Sequence, residues 1–259
     1  MGSMLERPMS EKKGETYTSS GGISMGGSSL QGWRMEMEDA HVMSELSPDH
    51  FIVGVFDGHA GANAAKFAGT KMAGAIRSSP AWDKYVASAI DAAHGSLKLL
   101  GNLLQDAFVS LDSLLEEHLM MQESRSGCTA VVAIVTPKYI ICANAGDARC
   151  VIGINGVAKA LSTDHKPDHE FEKKRIEKAG GSLIGKRVEG ELAVSRALGD
   201  FSFKNRPDLP PKDQKVSCYP VRVFAAMLFH AIMMHEKEKT RCTYCTHYTH
   251  YTHYTQNTH

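Results

Sequence analysis

An excess of charge of either sign is missing from this chain: Lys plus Arg number 29 and Asp plus Glu number 29 among its 259 residues. Phosphate backbones are bound through clustered positive charge, so nucleic acid is not an expected partner. Long hydrophobic runs are missing too. The most apolar stretch, Val223 to Met234, is broken by His230 and holds about a dozen residues, where a bilayer span takes about 20, so no transmembrane segment is expected. Cysteine is sparse, at six residues, and no secretory leader is recognised at the start. Reduced thiols in the cytoplasm or nucleus are therefore expected, not a disulfide framework.

What is present suits a globular protein. With 42% hydrophobic and 22% charged residues, the length allows one large domain with a substantial core, expected to be monomeric. Residues 1–24 are polar and rich in Ser, Thr and Gly, with neither a helical nor a strand period, and read as a flexible arm. The Met1-Gly2 start invites N-myristoylation and membrane association, but Glu6 stands where that pattern wants Ser or Thr.

Phe51 to Phe56 is a short apolar run rich in β-branched and aromatic residues, closed by Asp57-Gly58, which predicts a buried strand ending in a turn. Helical spacing predicts helices from Ala60 to Arg77 and from Leu97 to Leu119. Strands are predicted at Cys128 to Val135, Tyr139 to Ala145 and Cys150 to Ile154, the last followed by an Asn155-Gly156 hairpin signal. A charged helix from Glu170 to Ala179 is stopped by Gly180-Gly181. Strands with segregated helices predict an α/β (α+β) class, sheets covered by helices. Beyond Pro220 Met and His become dense and Thr-His-Tyr recurs, so residues 221–259 read as a low-complexity tail with no core-forming period. Such a repeat resembles translated simple-sequence DNA, as from a retained intron or a frameshift.

Asp57-Gly58-His59 at a strand end sets a carboxylate, a backbone carbonyl and an imidazole close together, and hard divalent cations prefer such oxygen ligands. An ordinary turn is the plain alternative. Between Gln31 and His41, Arg34 precedes the acidic pair Glu38 and Asp39. This is either a solvated charged segment or a metal ligand set beside a guanidinium that grips phosphate in bidentate fashion. Asp147 ends another apolar strand, and Val194 to Asp200 closes with Leu-Gly-Asp, readable as a helix end.

Together these segments resemble the type 2C protein phosphatases, the magnesium- or manganese-dependent Ser/Thr phosphatase family. The resemblance rests on Gln31-Gly-Trp-Arg-x-x-Met-Glu-Asp-Ala-His41, Val55-Phe-Asp-Gly-His-x-Gly61, Gly127-x-Thr-Ala130, Ala143-Asn-x-Gly-Asp-x-Arg149, Asp164-His-Lys-Pro167 and Ser195-Arg-Ala-Leu-Gly-Asp200, and covers residues 25–220. It implies a four-layer α-β-β-α sandwich of two antiparallel sheets flanked by helices, incomplete at the C-terminus. It also implies a cleft for two Mg2+ or Mn2+ ions, with a third held loosely.

In that arrangement Asp57 bridges the two metals, the Gly58 carbonyl binds one, and Glu38, beside Asp39, reaches them directly or through water. Asp147 belongs with the looser ion, Arg34 holds the phosphoryl oxygens, and His59 protonates the leaving alkoxide. A metal-bridged hydroxide attacks phosphoserine or phosphothreonine in a phosphorylated protein. Two further aspartates that family members carry near their C-termini do not occur after Asp213. Weak metal affinity follows, and with it a rival reading: a truncated or pseudo-phosphatase that binds phosphoproteins with little or no turnover.

Two signals point elsewhere and are set aside. Gly180 to Lys186 has P-loop spacing, but Arg187 replaces the Ser or Thr that ligates magnesium. Cys242 and Cys245 with His247 and His250 resemble a zinc set, but a single residue between Cys245 and His247 leaves no room for a finger. His41 and His165 are expected to be structural.

Overall fold

The computed structural model describes residues 4–18, 23–87, 93–154, 157–226, 230–235 and 242–246. His50–Phe56 is buried along its whole length, which is why its sequence is continuously apolar and not alternating. It pairs antiparallel with Ala40–Ser47 on one side and Ala130–Val135 on the other. Tyr139–Ala145 and Val221–Ala226 extend the sheet to five strands.

Side chains of these strands divide between two cores, as a period of two requires. Ile52, Phe56, Val132 and Ile134 face a core shared with α1 (Asn63–Arg77), α2 (Pro80–Ala87) and α3 (Ala93–Met121). Ala65, Ala68, Met72 and Ile76 of α1 and Leu104, Phe108, Leu111 and Leu115 of α3 bury their faces there at three- and four-residue spacing. Each such Leu or Phe stabilises the fold by about 1.5–3 kcal/mol relative to exposure.

Phe51, Val53, Val55, Val131 and Ala133 point the other way, toward Cys150, Ile152 and Leu161. These lead into a second antiparallel sheet of four strands, Val157–Ala160, Arg149–Ile154, His230–His235 and Cys242–Thr246. Helices, sheet and sheet thus follow the order expected of the sandwich. The helix α4 (Glu170–Lys178) builds a smaller core, with Ile176 packed among Val188, Val194, Ala197 and Val216. No helix among the described residues is long and apolar enough to cross a membrane.

Several expectations need correction. The flexible arm of residues 1–24 contains Met4–Met9, paired with Gly32–Arg34, and Lys13–Thr18, paired with Ser24–Ser29. Ile23 and Met25 are buried in the second core. Gly27, the next inward position after Met25, has no side chain, so the alternation leaves no hydrophobic mark. The tail of residues 221–259 begins with a paired strand whose Val223 and Ala225 pack on the second core, while Arg222 and Phe224 alternate between them. The first helix starts at Asn63, not Ala60, because Ala60 and Gly61 take positive φ values of 53° and 116°. The short helix α2 is additional, begun by Pro80 and anchored by buried Trp82 and Tyr85. Gly2, the Asn155-Gly156 turn, His247, His250 and the repeats after Thr246 lie outside the described residues.

The α4 region is tied to the sheets by Glu172. Its buried carboxylate accepts from Arg175 Nη2 at 2.7 Å, Arg196 Nη2 at 2.6 Å and Ser195 Oγ at 2.7 Å. Burial pushes this carboxyl up, but the bonds from Arg196 and the charges of Arg196 and Arg175 outweigh it and bring it down to about 2. His165 is lowered to about 4, first by burial and then by the Arg196 charge. Both groups are held below their ordinary values in the folded protein, so the unfolded chain binds more protons as pH falls and the sign is the same for each. His165 contributes stability that is full above its ordinary value of 6.5 and is lost as pH falls toward 4. Glu172 contributes stability that is full above 4.5 and is lost as pH falls toward 2, on the order of 3 kcal/mol. Urea denaturation across pH should show a plateau above neutrality and acid loss in these two windows. Glu172→Gln should remove the lower window and cost about 3–5 kcal/mol at neutral pH by stranding two buried arginines.

Candidate active site

Asp57 follows the last residue of the His50–Phe56 strand, where a chain buried on both faces first reaches the surface. Its position is fixed by Thr129, whose N–H donates to the Asp57 carbonyl at 2.9 Å and whose hydroxyl accepts the Asp57 N–H at 3.3 Å. The next two residues, Gly58–His59, join Gly127–Cys128 and Leu198–Gly199 in a three-stranded ribbon. Gly127 lies opposite His59 on one side and Gly199 on the other.

Close approach explains the glycines here. A Cβ at Gly58 would stand 2.2 Å from the Glu38 carbonyl oxygen, so only glycine lets the Glu38 backbone reach this strand. The Glu38 carboxylate then accepts the Gly61 N–H at 2.8 Å and Arg34 Nη2 at 3.2 Å. Gln31 Nε2 holds the intervening turn by donating to the Arg34 and Met35 carbonyls at 2.9 and 3.0 Å. Asp39 follows Glu38 on the same partly buried segment. The structure therefore brings Arg34, Glu38, Asp57, Gly58 and His59 together.

Asp200 joins them; its segment is among the matched motifs, but the sequence assigns the residue itself no role and also reads as a helix end. His59 Nε2 lies 2.9 and 2.8 Å from the two Asp200 carboxylate oxygens. The imidazole is 28% exposed and the carboxylate only 6%. Burial lowers the basicity of His59, but the Asp200 hydrogen bond and the charges of Asp200, Asp57 and Glu38 raise it above the ordinary value on balance. A Cβ at Gly127 would come within 2.3 Å of the Asp200 carboxylate, so the ribbon's middle strand also depends on glycine.

Asp200 adopts φ 54°, in the left-handed region that Asp tolerates better than most residues. The preceding residue is anchored from α3. Asp112 accepts the Gly199 N–H at 2.8 Å and Lys204 Nζ at 2.8 Å on both oxygens. Both partners of that ion pair are more than nine-tenths buried, at 7% and 9% exposure. Burial would discharge Lys204, yet the adjacent Asp112 raises its basicity above the ordinary value. No local sequence pattern marks this pair. Its members lie 92 residues apart and meet only in the fold.

Asp147 sits on a neighbouring turn, paired with Lys166. That turn is pressed on Thr129, because a Cβ at Gly146 would lie 2.5 Å from the Thr129 Cβ. His165, buried, shares its Nδ1 with the Gly146 backbone, and Arg149 forms a bidentate pair with Asp164 at 2.7 and 3.1 Å. His41 pairs with Glu15. The P-loop-like segment follows a helix and holds the Leu183–Ile184 strand, which pairs with Arg187–Val188 just beyond it, the reverse of a strand-loop-helix phosphate site.

The donor atoms of Asp57, Glu38 and the Gly58 carbonyl are hard oxygens of the kind that suits a magnesium-like cation. Their number is smaller than a two-ion cage requires: among the described residues, no three His, Cys, Asp or Glu side chains converge as a metal-holding group.

Comparison with known proteins agrees with this geometry. The chain is 40% identical over 234 residues to "Protein phosphatase 2C homolog 2" of Schizosaccharomyces pombe, covering 85% of this chain and 58% of that protein. It is likewise 40% identical over 232 residues to "Protein phosphatase ppm-1.A" of Caenorhabditis elegans, covering 85% of this chain and 48% of that one. The chain thus spans about half the length of the curated relatives it matches. In fold it resembles the crystal structure of serine-threonine phosphatase 2C from Toxoplasma gondii, with a TM-score of 0.68 at 22% identity over 89% of this chain and 80% of that one. These relatives are named as phosphatases and lend no support to the reading of a phosphoprotein binder without turnover. The profile of the family "Protein phosphatase 2C" matches residues 23–227, and the chain belongs to that family.

Proposed function

We propose that this chain hydrolyses phosphoserine and phosphothreonine monoesters of proteins, with magnesium or manganese held by Asp57, Glu38 and the Gly58 carbonyl. The observation that carries the reading is the His59–Asp200 pair set beside Asp57 and the Arg34–Glu38 pair. Bound divalent ions would supply charge neutralisation at phosphorus and a water of lowered pKa.

The chain's own groups supply the rest. Arg34 is 43% exposed and uses one nitrogen on Glu38, leaving further guanidinium donors for phosphoryl oxygens. Glu38 thereby orients the arginine as well as offering an oxygen ligand. His59 gives its Nε2 proton to the Asp200 carboxylate as a hydrogen bond, because an ionised carboxylate is acceptor-only. The proton free to move is then the one on Nδ1, available to the departing serine or threonine oxygen. Asp200 is a positioning residue: it fixes the ring and favours its protonated form, while Lys204 and Asp112 hold the backbone that carries it. Cys128, Cys142, Cys150 and Cys218 are free and buried, which supports placing the reaction in the reducing cytoplasm or nucleus.

Manganese-dependent release of phosphate from a phosphothreonine peptide should be measurable with this chain and should fall by roughly 100-fold or more in Asp57→Asn. Equal rates in the two proteins would remove Asp57 from the chemistry. The role of Asp200 has its own test. Asp200→Ala should lower kcat on the peptide by about 100-fold, the size of a lost general acid, while changing p-nitrophenyl phosphate hydrolysis only a few-fold. Nitrophenolate leaves without a proton. Equal losses on both substrates would mean that Asp200 merely supports the fold.

A further inference from the structure

Away from the Asp57 site, a cavity of about 630 Å³ opens among α3, α4 and the chain from Leu209 to Arg222. Lys174, Arg175, Lys178, Arg196, Lys212 and Arg222 line it, with Asp213 as the single carboxylate in the wall. Nearby acids answer part of this charge: Glu172 pairs with Arg175 and Arg196, and Glu170 pairs with Lys174. Positive groups still exceed negative ones by three. Lys178 and Lys212 have no ion-pair partner among the described residues, and Arg222 meets only the neutral amide oxygen of Asn102, at 3.1 Å.

Arg175 adds a second observation. Its terminal nitrogens are engaged by Glu172 and by the carbonyls of Ser195, Gln214 and Lys215, yet its buried Nε has no hydrogen-bond partner. Like charges gathered around one cleft repel each other and focus a positive potential into it, which a bound anion would relieve.

The size and distribution of the charge select the anion. The volume lies within the roughly 300–1,000 Å³ typical of small-molecule sites and is larger than one phosphate fills. The cations stand on several separate segments of the wall, so one anionic group cannot reach them all. A phosphoryl group brings about 1.5–2 negative charges and three acceptor oxygens, so two of them balance the three-charge excess; carboxylates bring one charge each. Arginine forks and lysine ammonium groups are both suited to phosphoryl oxygens. We propose that this cavity binds a compact small molecule carrying two or more phosphoryl groups. It is separate from the Asp57 site, and its occupant is not the ester that is hydrolysed.

Titration calorimetry with pyrophosphate in EDTA tests this without catalysis, since no divalent ion is then available at Asp57. Pyrophosphate should bind the wild-type chain once and more tightly than inorganic phosphate does. Lys178→Gln/Lys212→Gln, which alters two exposed side chains and so leaves the fold intact, should weaken binding by roughly tenfold. Arg34→Ala, at the other site, should leave it unchanged. No binding to wild type, no preference over phosphate, equal affinity in the double variant, or loss in Arg34→Ala would each overturn the proposal. Phosphatase activity plays no part in any of these outcomes, so this inference and the proposed function fail separately.

Discussion

A strand buried on both faces can offer a charged side chain to solvent only at its end, and this constraint governs the site. His50–Phe56 is packed between helices and a second sheet, so Asp57 is the first residue able to carry a carboxylate without burying it in hydrocarbon. Everything else arrives around that point by backbone contact. The Glu38 carbonyl abuts Gly58, Thr129 brackets Asp57 with its N–H and its hydroxyl, and the ribbon of Gly58–His59, Gly127–Cys128 and Leu198–Gly199 aligns the imidazole. Side-chain chemistry is thereby placed by main-chain geometry, which is stiffer than any rotamer.

The ion pair of Lys204 with Asp112 shows where the fold accepts an electrostatic cost. Taking two charges out of water is expensive, and a pair so buried is weak grounds for stability by itself. Here the carboxylate also caps the Gly199 N–H, and the ammonium also reaches the Ala197 carbonyl at 3.0 Å. The pair therefore stitches α3 to the turn bearing Asp200. Removing either partner would leave the other buried and unpaired, and the turn would lose its tether.

Much of this was legible beforehand, and the boundary has a physical meaning. Asp57, Gly58 and His59 could be read because strand, turn and ligand chemistry occupy adjacent positions. Arg34 and Glu38 could be read because both lie on one short polar segment. The pairing of Asp200 with His59 could not, since the two lie 141 residues apart and a matched motif does not show what its aspartate meets. The N-terminal strands escaped notice because Gly27 occupies an inward place, so alternation exists in geometry but not in hydrophobicity. Val221–Ala226 was passed over because the composition of the residues after it masked a short alternating strand.

The separation of His59 from Asp200 has a consequence for how the molecule comes into being. Closing a loop of 141 residues carries a larger entropic cost than closing a hairpin, and that cost is met before the ribbon contacts return anything. The strand pairs joined by short connections, Ala40–Ser47 with His50–Phe56 and Ala130–Val135 with Tyr139–Ala145, are positioned to form before the imidazole finds its carboxylate. During synthesis, a nascent chain that has emerged with Asp57 and His59 in place still lacks the imidazole–carboxylate pair until Asp200 leaves the ribosome. On the proposed function, turnover would report completion of folding and not its onset.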